Sequence, residues 1–290
     1  MAECLFIFGL GYSATFLVRM LKPTGIAVAG TVRSPEKAGQ LRAEGIEAFV
    51  FDGSTRDEVV ADALRKATSV IVSIPPGEEG DPVLRVFGGD IERSEIGWIG
   101  YLSTVGVYGN YGGAWVSERT TPHPRPGRSA WRLQAEKDWT ALASRAGIQL
   151  AIFRIAGIYG PGRNAFASLA SGKARRIAKP GQVFNRIHVE DIAAALVMAM
   201  EKKATGIFNL ADDEPGPPGD LVAYAAEKLG LPPPPEIPFA EAEMTPMARS
   251  FYEENKRVLN RRLKENLGLA LRYPNWREGL DALWAEGKWR

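Results

Sequence analysis

Cysteine and histidine are nearly missing from this 290-residue chain, which has one Cys and two His. The lone thiol, Cys4, excludes an intramolecular disulfide and a cysteine-built metal cluster. With only His123 and His188, a histidine-rich metal site is excluded as well, and no metal is expected. No stretch approaches the roughly 20 apolar residues of a membrane span. An excess of one charge is also missing: 36 basic against 34 acidic residues leave a net +2. That balance gives no argument for a nucleic-acid or membrane partner. Gly9 follows Glu3 too soon for a signal peptide, so a cytoplasmic protein is expected by elimination. There is no internal repeat and no low-complexity tail. What remains is an ordinary soluble composition, 45% hydrophobic and 24% charged, sufficient for a sizeable core in one large or two small domains.

The most informative stretch is Cys4 to Ala14. An apolar run, Cys4 to Phe8, leads directly into Gly9-x-Gly11-x-x-Ala14. Helical spacing follows, with apolar side chains at Phe16, Leu17, Met20 and Leu21. The order is strand, tight turn, helix. Gly9 takes the turn, Gly11 lets a pyrophosphate approach the backbone, and Ala14 lets the helix pack closely on the strand. The helix N-terminus favours negative charge. This pattern points to dinucleotide binding; the alternative is a glycine turn in some other α/β protein.

Strand and helix signals alternate from there. Strands are expected at Ile26–Val32, Ile46–Phe51, Ser69–Ile74, Trp98–Ser103 and Gln149–Ile155, and helices at Pro35–Glu44, from Arg56 to Leu64, and at Ser129–Arg145. After Tyr159 the pattern loosens. Ala165–Ala178 and Val189–Met200 read as helices, Gly206–Leu210 as a last strand, and Pro232–Pro235 as a stiff extended connector. Trp276, Leu280, Leu283 and Trp284 form an apolar stripe that reads as core. The expected fold is α/β, a Rossmann doubly wound parallel sheet with a small interleaved C-terminal cap. Residues 1–158 and 186–212 would form the dinucleotide-binding domain, and 159–185 with 213–290 the cap.

Four motifs carry a family likeness: the glycine turn; Leu102-Ser103-Thr104-Val105-Gly106-Val107-Tyr108-Gly109; Arg154-Ile155-Ala156-Gly157-Ile158-Tyr159-Gly160-Pro161-Gly162; and Arg186-Ile187-His188-Val189-Glu190-Asp191-Ile192-Ala193. In this order and spacing the chain resembles the extended short-chain dehydrogenase/reductase family, the nucleotide-sugar epimerases and dehydratases. The resemblance implies an NAD(P) cofactor and a small-molecule substrate at the carboxyl ends of the strands. It places Asp52 at the adenine, Ile74 and Pro75 near adenine and ribose, and Ser103 beside the cofactor. Asp52 reads alternatively as a helix cap for the segment at Arg56. His188 and Asp191 read as caps of their helix, and Tyr108 and Tyr159 as packing residues.

The chain departs from the family at the catalytic pair, Tyr-x-x-x-Lys. The register of Ala135-Glu136 puts Arg128 at the Tyr position and Arg132 at the Lys position, while Thr104 stands at the active serine. Arginine stays protonated above pH 12 and is a poor acid or base, but it binds carboxylates and phosphates well. Arg128 and Arg132 therefore mark either an anionic ligand or a solvated helix face. Tyr111 is a freer candidate for the missing tyrosine. For the cofactor, the end of strand two reads Thr31-Val32-Arg33-Ser34-Pro35, with no acid before Glu36. Arg33 and Ser34 suit a 2′-phosphate, so NADP is expected, with NAD possible. The cofactor set is then Gly9, Gly11, Tyr12, Ser13, Ala14, Arg33, Ser34, Asp52, Ile74, Pro75 and Ser103, and the catalytic set Thr104, Arg128 and Arg132. The leading function is an NADP-dependent oxidoreductase or epimerase-like enzyme on a small polar, anionic metabolite. The alternative is a non-catalytic NADP(H)-binding regulator or redox sensor. A monomer or homodimer is expected. The family often dimerises through helices after strands four and five, and here the first, near Pro82–Ser94, contains Gly88-Gly89 and reads as a poor helix.

Overall fold

A computed structural model describes residues 3–290. The chain divides into two compact units. The first holds the chain up to Val107, Pro124–Arg154 and Ile192–Phe208; the second holds Tyr108–His123, Ile155–Asp191 and Asn209–Arg290.

The first unit is built on strands β1 (Cys4–Phe8), β2 (Ala27–Val32), β3 (Glu47–Val50), β4 (Ser69–Val72), β5 (Trp98–Thr104), β6 (Gln149–Ile155) and β7 (Gly206–Leu210). Between them run helices α1 (Tyr12–Leu21), α2 (Pro35–Ala43), α3 (Glu58–Arg65), α4 (Pro82–Glu92), α5 (Arg128–Ala146) and α6 (Val189–Glu201). The sheet order is β7-β6-β5-β4-β1-β2-β3. β1 pairs in parallel with both β2 and β4, and the ladders β2–β3 and β4–β5 are parallel too. The direction of winding reverses at β1, which is where this topology leaves a crevice at the carboxyl ends of the strands. The expected doubly wound α/β sheet is the fold found.

Strands covered on both faces need apolar side chains, and β1 and Val70–Val72 of β4 supply them. One face carries Phe6, Phe8, Phe51 and Phe87, with ring centroids 4.9–6.1 Å apart along that series. Trp139 and Tyr101 extend this core, both fully buried. Each such side chain stabilises the fold by about 1.5–3 kcal/mol.

Several elements differ from expectation. On α1 the buried face is Ser13, Ala14, Leu17 and Leu21; Met20 is exposed and Phe16 packs on the ring of Tyr12. The stretch near Pro82–Ser94 is a regular helix, α4. Asp81 caps it by accepting from the N–H of Val83 and Leu84, and Gly88 faces Leu142 of α5 at ordinary contact distance. The helix expected from Arg56 begins at Glu58, because Asp57 caps it and Arg56 pairs with Asp90 instead. The helix expected over Ala165–Ala178 stops at Ala170; Gly172 has φ +68°, and Arg176–Ala178 is a strand.

The second unit contains the pairs Trp115–Val116 with Arg257–Val258, Gly157–Tyr159 with Arg186–His188, and Arg176–Ala178 with Glu236–Pro238. The proline run thus leads into a strand. Its core gathers Tyr159, Phe166, Trp276, Leu280 and Leu283. Tyr108–His123, which lies inside the stretch 1–158 expected for the first domain, is held in this unit by Tyr108, whose hydroxyl meets Asn209 Oδ1 at 2.7 Å.

Candidate functional site

The glycine turn leaves β1 at Phe8 and enters α1 at Tyr12. Gly9 has φ +96°, and a Cβ there would lie 3.1 Å from Ile74 Cγ1. The turn is fixed from β2: Thr31 Oγ1 accepts from the Gly9 N–H at 3.1 Å, and Thr31 O accepts from the Leu10 N–H at 2.7 Å. A Cβ on Gly30 would fall 2.4 Å from Ile7 O and 2.9 Å from Leu10 Cγ, so only glycine lets the turn close over β2. Thr31 and Gly30 escaped the sequence reading. Their signal was a buried polar residue and a glycine inside an otherwise apolar strand.

Gly11 behaves oppositely. A Cβ on Gly11 would meet nothing within 4 Å. No side chain caps α1, and its first turn holds no acid. An open cradle at a helix N-terminus, with small buried Ser13 and Ala14 behind it, fits a pyrophosphate. These residues therefore fit a dinucleotide.

The other expected cofactor residues stand at the ends of neighbouring strands. Arg33 follows β2 and is exposed. Ser34 caps α2, accepting from Lys37 N at 3.3 Å. Glu36 is held below the usual carboxylate range by its own N–H and the Ser34 hydroxyl. Asp52, after β3, is exposed and accepts from Ser54 N (2.8 Å) and Ser54 Oγ (2.6 Å). Those bonds hold its carboxyl low; it caps no helix. Ile74 is half-buried against Gly9 and Pro75 is exposed, both beyond β4.

At the end of β5 the geometry is more specific. Thr104 Oγ1 accepts from Gly106 N at 3.1 Å, which leaves its own proton to donate. Ser103 is committed inward: its Oγ lies 2.5 Å from Glu136 Oε1. Glu136 in turn takes Arg154 Nε at 3.1 Å and Nη2 at 2.7 Å. Both of these side chains are buried, 4% and 3% exposed.

The two arginines at the catalytic positions diverge. Arg128, the first residue of α5, is exposed. Arg132 is half-buried and tied to the sheet. Its Nη1 donates to Leu102 O (2.8 Å) and Tyr101 Oη (3.3 Å), and its guanidinium lies 5.6 Å from the Tyr101 ring centroid. The reading of both arginines on a solvated face therefore fails for Arg132. Tyr101 sits beside this cation as a catalytic tyrosine would, but it is fully buried, and burial raises its pKa.

The remaining candidates lie in the second unit. Tyr111 Oη is bonded to Thr121 O at 2.5 Å, so it is not a free hydroxyl. Tyr159 is buried against His188 and Gly279, and burial raises its pKa too. His188 Nδ1 accepts from Glu190 N at 3.2 Å, the expected cap. Asp191 instead accepts from Arg272 N (2.7 Å) and Tyr273 N (3.1 Å). Burial lowers the His188 pKa to about 4 and raises that of Asp212 to about 8, the latter opposed by Arg186.

Residues 91–211, which run from α4 through the β5 and β6 signatures to β7, match the profile of the NAD dependent epimerase/dehydratase family. That matched segment carries the family's β5 and β6 signatures. Among solved members of this fold, a conserved protein of unknown function from Silicibacter pomeroyi is 47% identical, covers 99% of both chains and superposes with a TM-score of 0.90. Protein YeeZ of Escherichia coli K12 is 28% identical over 79% of this chain and 84% of its own. A 3-diazoavenalumate denitrifying reductase from a Streptomyces species is 29% identical over 54% of this chain, and the match spans 54% of that reductase. No helix among the described residues is long and apolar enough to cross a membrane.

Proposed function

We propose that this chain is an NADP(H)-dependent oxidoreductase or epimerase-like enzyme acting on a small polar, anionic metabolite. Its proton handling would not rest on the family's tyrosine. The observation that carries the cofactor reading is the open cradle at Gly11 over the uncapped start of α1. Gly9, Gly11, Tyr12, Ser13 and Ala14 would hold the pyrophosphate. Asp52, Ile74 and Pro75 would line the adenosine, with the Ser103 backbone and Thr104 at the nicotinamide end. When bound, the cofactor supplies or accepts a hydride.

Thr104 would donate its free proton to a substrate oxygen, and Arg128 would bind an acidic group. Arginine at the tyrosine position removes a placed general acid/base, a change typically worth about 10²–10⁴ in rate. A relative named for reduction, the Streptomyces denitrifying reductase, supports the oxidoreductase reading. The second reading, a binding-only NADP(H) regulator, is favoured by the two arginines at Tyr and Lys positions.

The NADP preference rests on Arg33, exposed directly after β2. The competing observation is Glu36, an ionised carboxylate three residues on, whose acid would suit an NAD ribose. Arg33→Ala is expected to weaken NADPH by about tenfold or more, the loss of one charge-assisted contact of about 1.5–3 kcal/mol, and to leave NADH unchanged. Calorimetric titration of wild type and variant with both cofactors checks this. Tighter NADH than NADPH in the wild type overturns the preference.

A further inference from the structure

We propose that Ser129 is a second substrate-binding hydroxyl, paired with Thr104 across Gly106, and that the two together hold a carboxylate-like oxyanion of the substrate. The inference rests on the preceding assignment of the β5–α5 end as the substrate side. A Cβ on Gly106 would sit 2.8 Å from Ser129 Oγ and 3.4 Å from Thr104 Oγ1. Both hydroxyls therefore flank one backbone position, close enough to converge on a single oxyanion or on the two oxygens of one carboxylate.

Glycine at 106 is what admits Ser129 there, since any Cβ would occupy the space its hydroxyl uses. The pair is equipped to donate. Thr104 Oγ1 already accepts the Gly106 N–H, so its proton faces outward. Among the described residues no hydrogen-bond partner holds Ser129 Oγ, and both side chains are half-buried rather than sealed. The local charge favours an anion. Arg128 precedes Ser129, and Arg132 lies one turn along α5, fixed to Leu102 O. The nearest buried carboxylate on that helix, Glu136, is neutralised by Arg154. Two hydroxyl donors beside fixed positive charge, with no free carboxylate among them, suit a negatively charged oxygen and disfavour a cationic group.

Ser129 is not offered as an acid or base, because an aliphatic hydroxyl does not ionise near neutral pH. It is a binding and orienting residue. It takes over the contact with substrate oxygen that a tyrosine hydroxyl at position 128 would have made.

The test is calorimetric titration of NADPH-loaded protein with malonate, and separately with inorganic phosphate. The proteins compared are wild type, Ser129→Ala, Ser129→Thr and Gly106→Ala. The last displaces the serine hydroxyl without removing it; Gly106 does not have a left-handed φ, so alanine fits its backbone. Malonate affinity is expected to fall by about tenfold in Ser129→Ala and Gly106→Ala, the loss of one hydrogen bond to a charged group, and to persist in Ser129→Thr. Tighter phosphate than malonate, with the same dependence on Ser129, would keep the hydroxyl pair and assign it a phosphate oxygen. Equal malonate affinity in wild type and Ser129→Ala overturns the proposal, as does a wild type that binds neither anion. NADPH fluorescence in the same samples separates the two readings. Failure of NADPH to bind rejects the cofactor assignment, whereas bound NADPH with no anion dependence on Ser129 rejects only the hydroxyl pair. Circular dichroism of each variant excludes unfolding.

Discussion

Gly11→Asp is expected to abolish NADP(H) binding while leaving the protein folded. The structure separates these two outcomes unusually well. A Cβ on Gly11 meets no atom within 4 Å, and Gly11 is not among the residues with positive φ. A side chain there is therefore harmless to the polypeptide itself. It is harmful only to something that enters the space above the turn. An aspartate adds bulk and a negative charge where a pyrophosphate would lie, reversing the anion preference of the helix N-terminus. NADPH fluorescence titration should show no saturation, with a far-ultraviolet circular dichroism spectrum like that of wild type. Unchanged binding would reduce the motif to a structural turn. Gly9 provides the contrast, because φ +96° and the 3.1 Å approach to Ile74 make its replacement a folding lesion rather than a ligand lesion.

Glu136→Ala should strongly destabilise the first unit. It leaves Arg154, 3% exposed, without the carboxylate that takes two of its donors, and removes the partner of the Ser103 hydroxyl. Breaking a buried pair from one side costs about 3–5 kcal/mol, equivalent to a drop in thermal midpoint of roughly 6–20 °C for a protein of this size. Thermal melts followed by circular dichroism measure it. Replacing both partners, as in Glu136→Leu with Arg154→Met, should recover much of the loss, since a well-packed apolar pair avoids desolvating two charges. A single variant with an unchanged midpoint would show that the pair contributes nothing net.

The first half of the fold was readable because it is written in local patterns. β1 is a short apolar run before Gly9, and its neighbours alternate with capped helices. The β5 and β6 signatures are contiguous in sequence, and residues 91–211 match the family profile. What was not readable depends on residues far apart in the chain. The glycines of α4 argue against a helix in the sequence, yet Asp81 caps it and the segment packs on α5 through Gly88 and Leu142, 54 positions on. Thr31 and Gly30 fix the glycine turn from the next strand. Glu136 served as a register marker in the sequence; its role as the buried partner of Arg154 and Ser103 needed coordinates. The same holds for Arg132, whose attachment to Leu102 and Tyr101 is invisible to helical periodicity. The Ser129–Gly106–Thr104 arrangement likewise joins a helix start to a strand end more than 20 residues earlier.

A cofactor site kept without the family's proton-transfer pair should bind NADPH yet not oxidise it. Stopped-flow mixing of NADPH-loaded wild-type protein with a panel of aldehydes and ketones, followed through NADPH absorbance, is the decisive measurement. NADPH is expected to bind and its oxidation by these substrates to be negligible, because Arg128 stays protonated and Thr104 does not ionise near neutral pH. Turnover on the order of 1 s⁻¹ or faster, within the ordinary enzyme range, would contradict it and show that another residue delivers the proton.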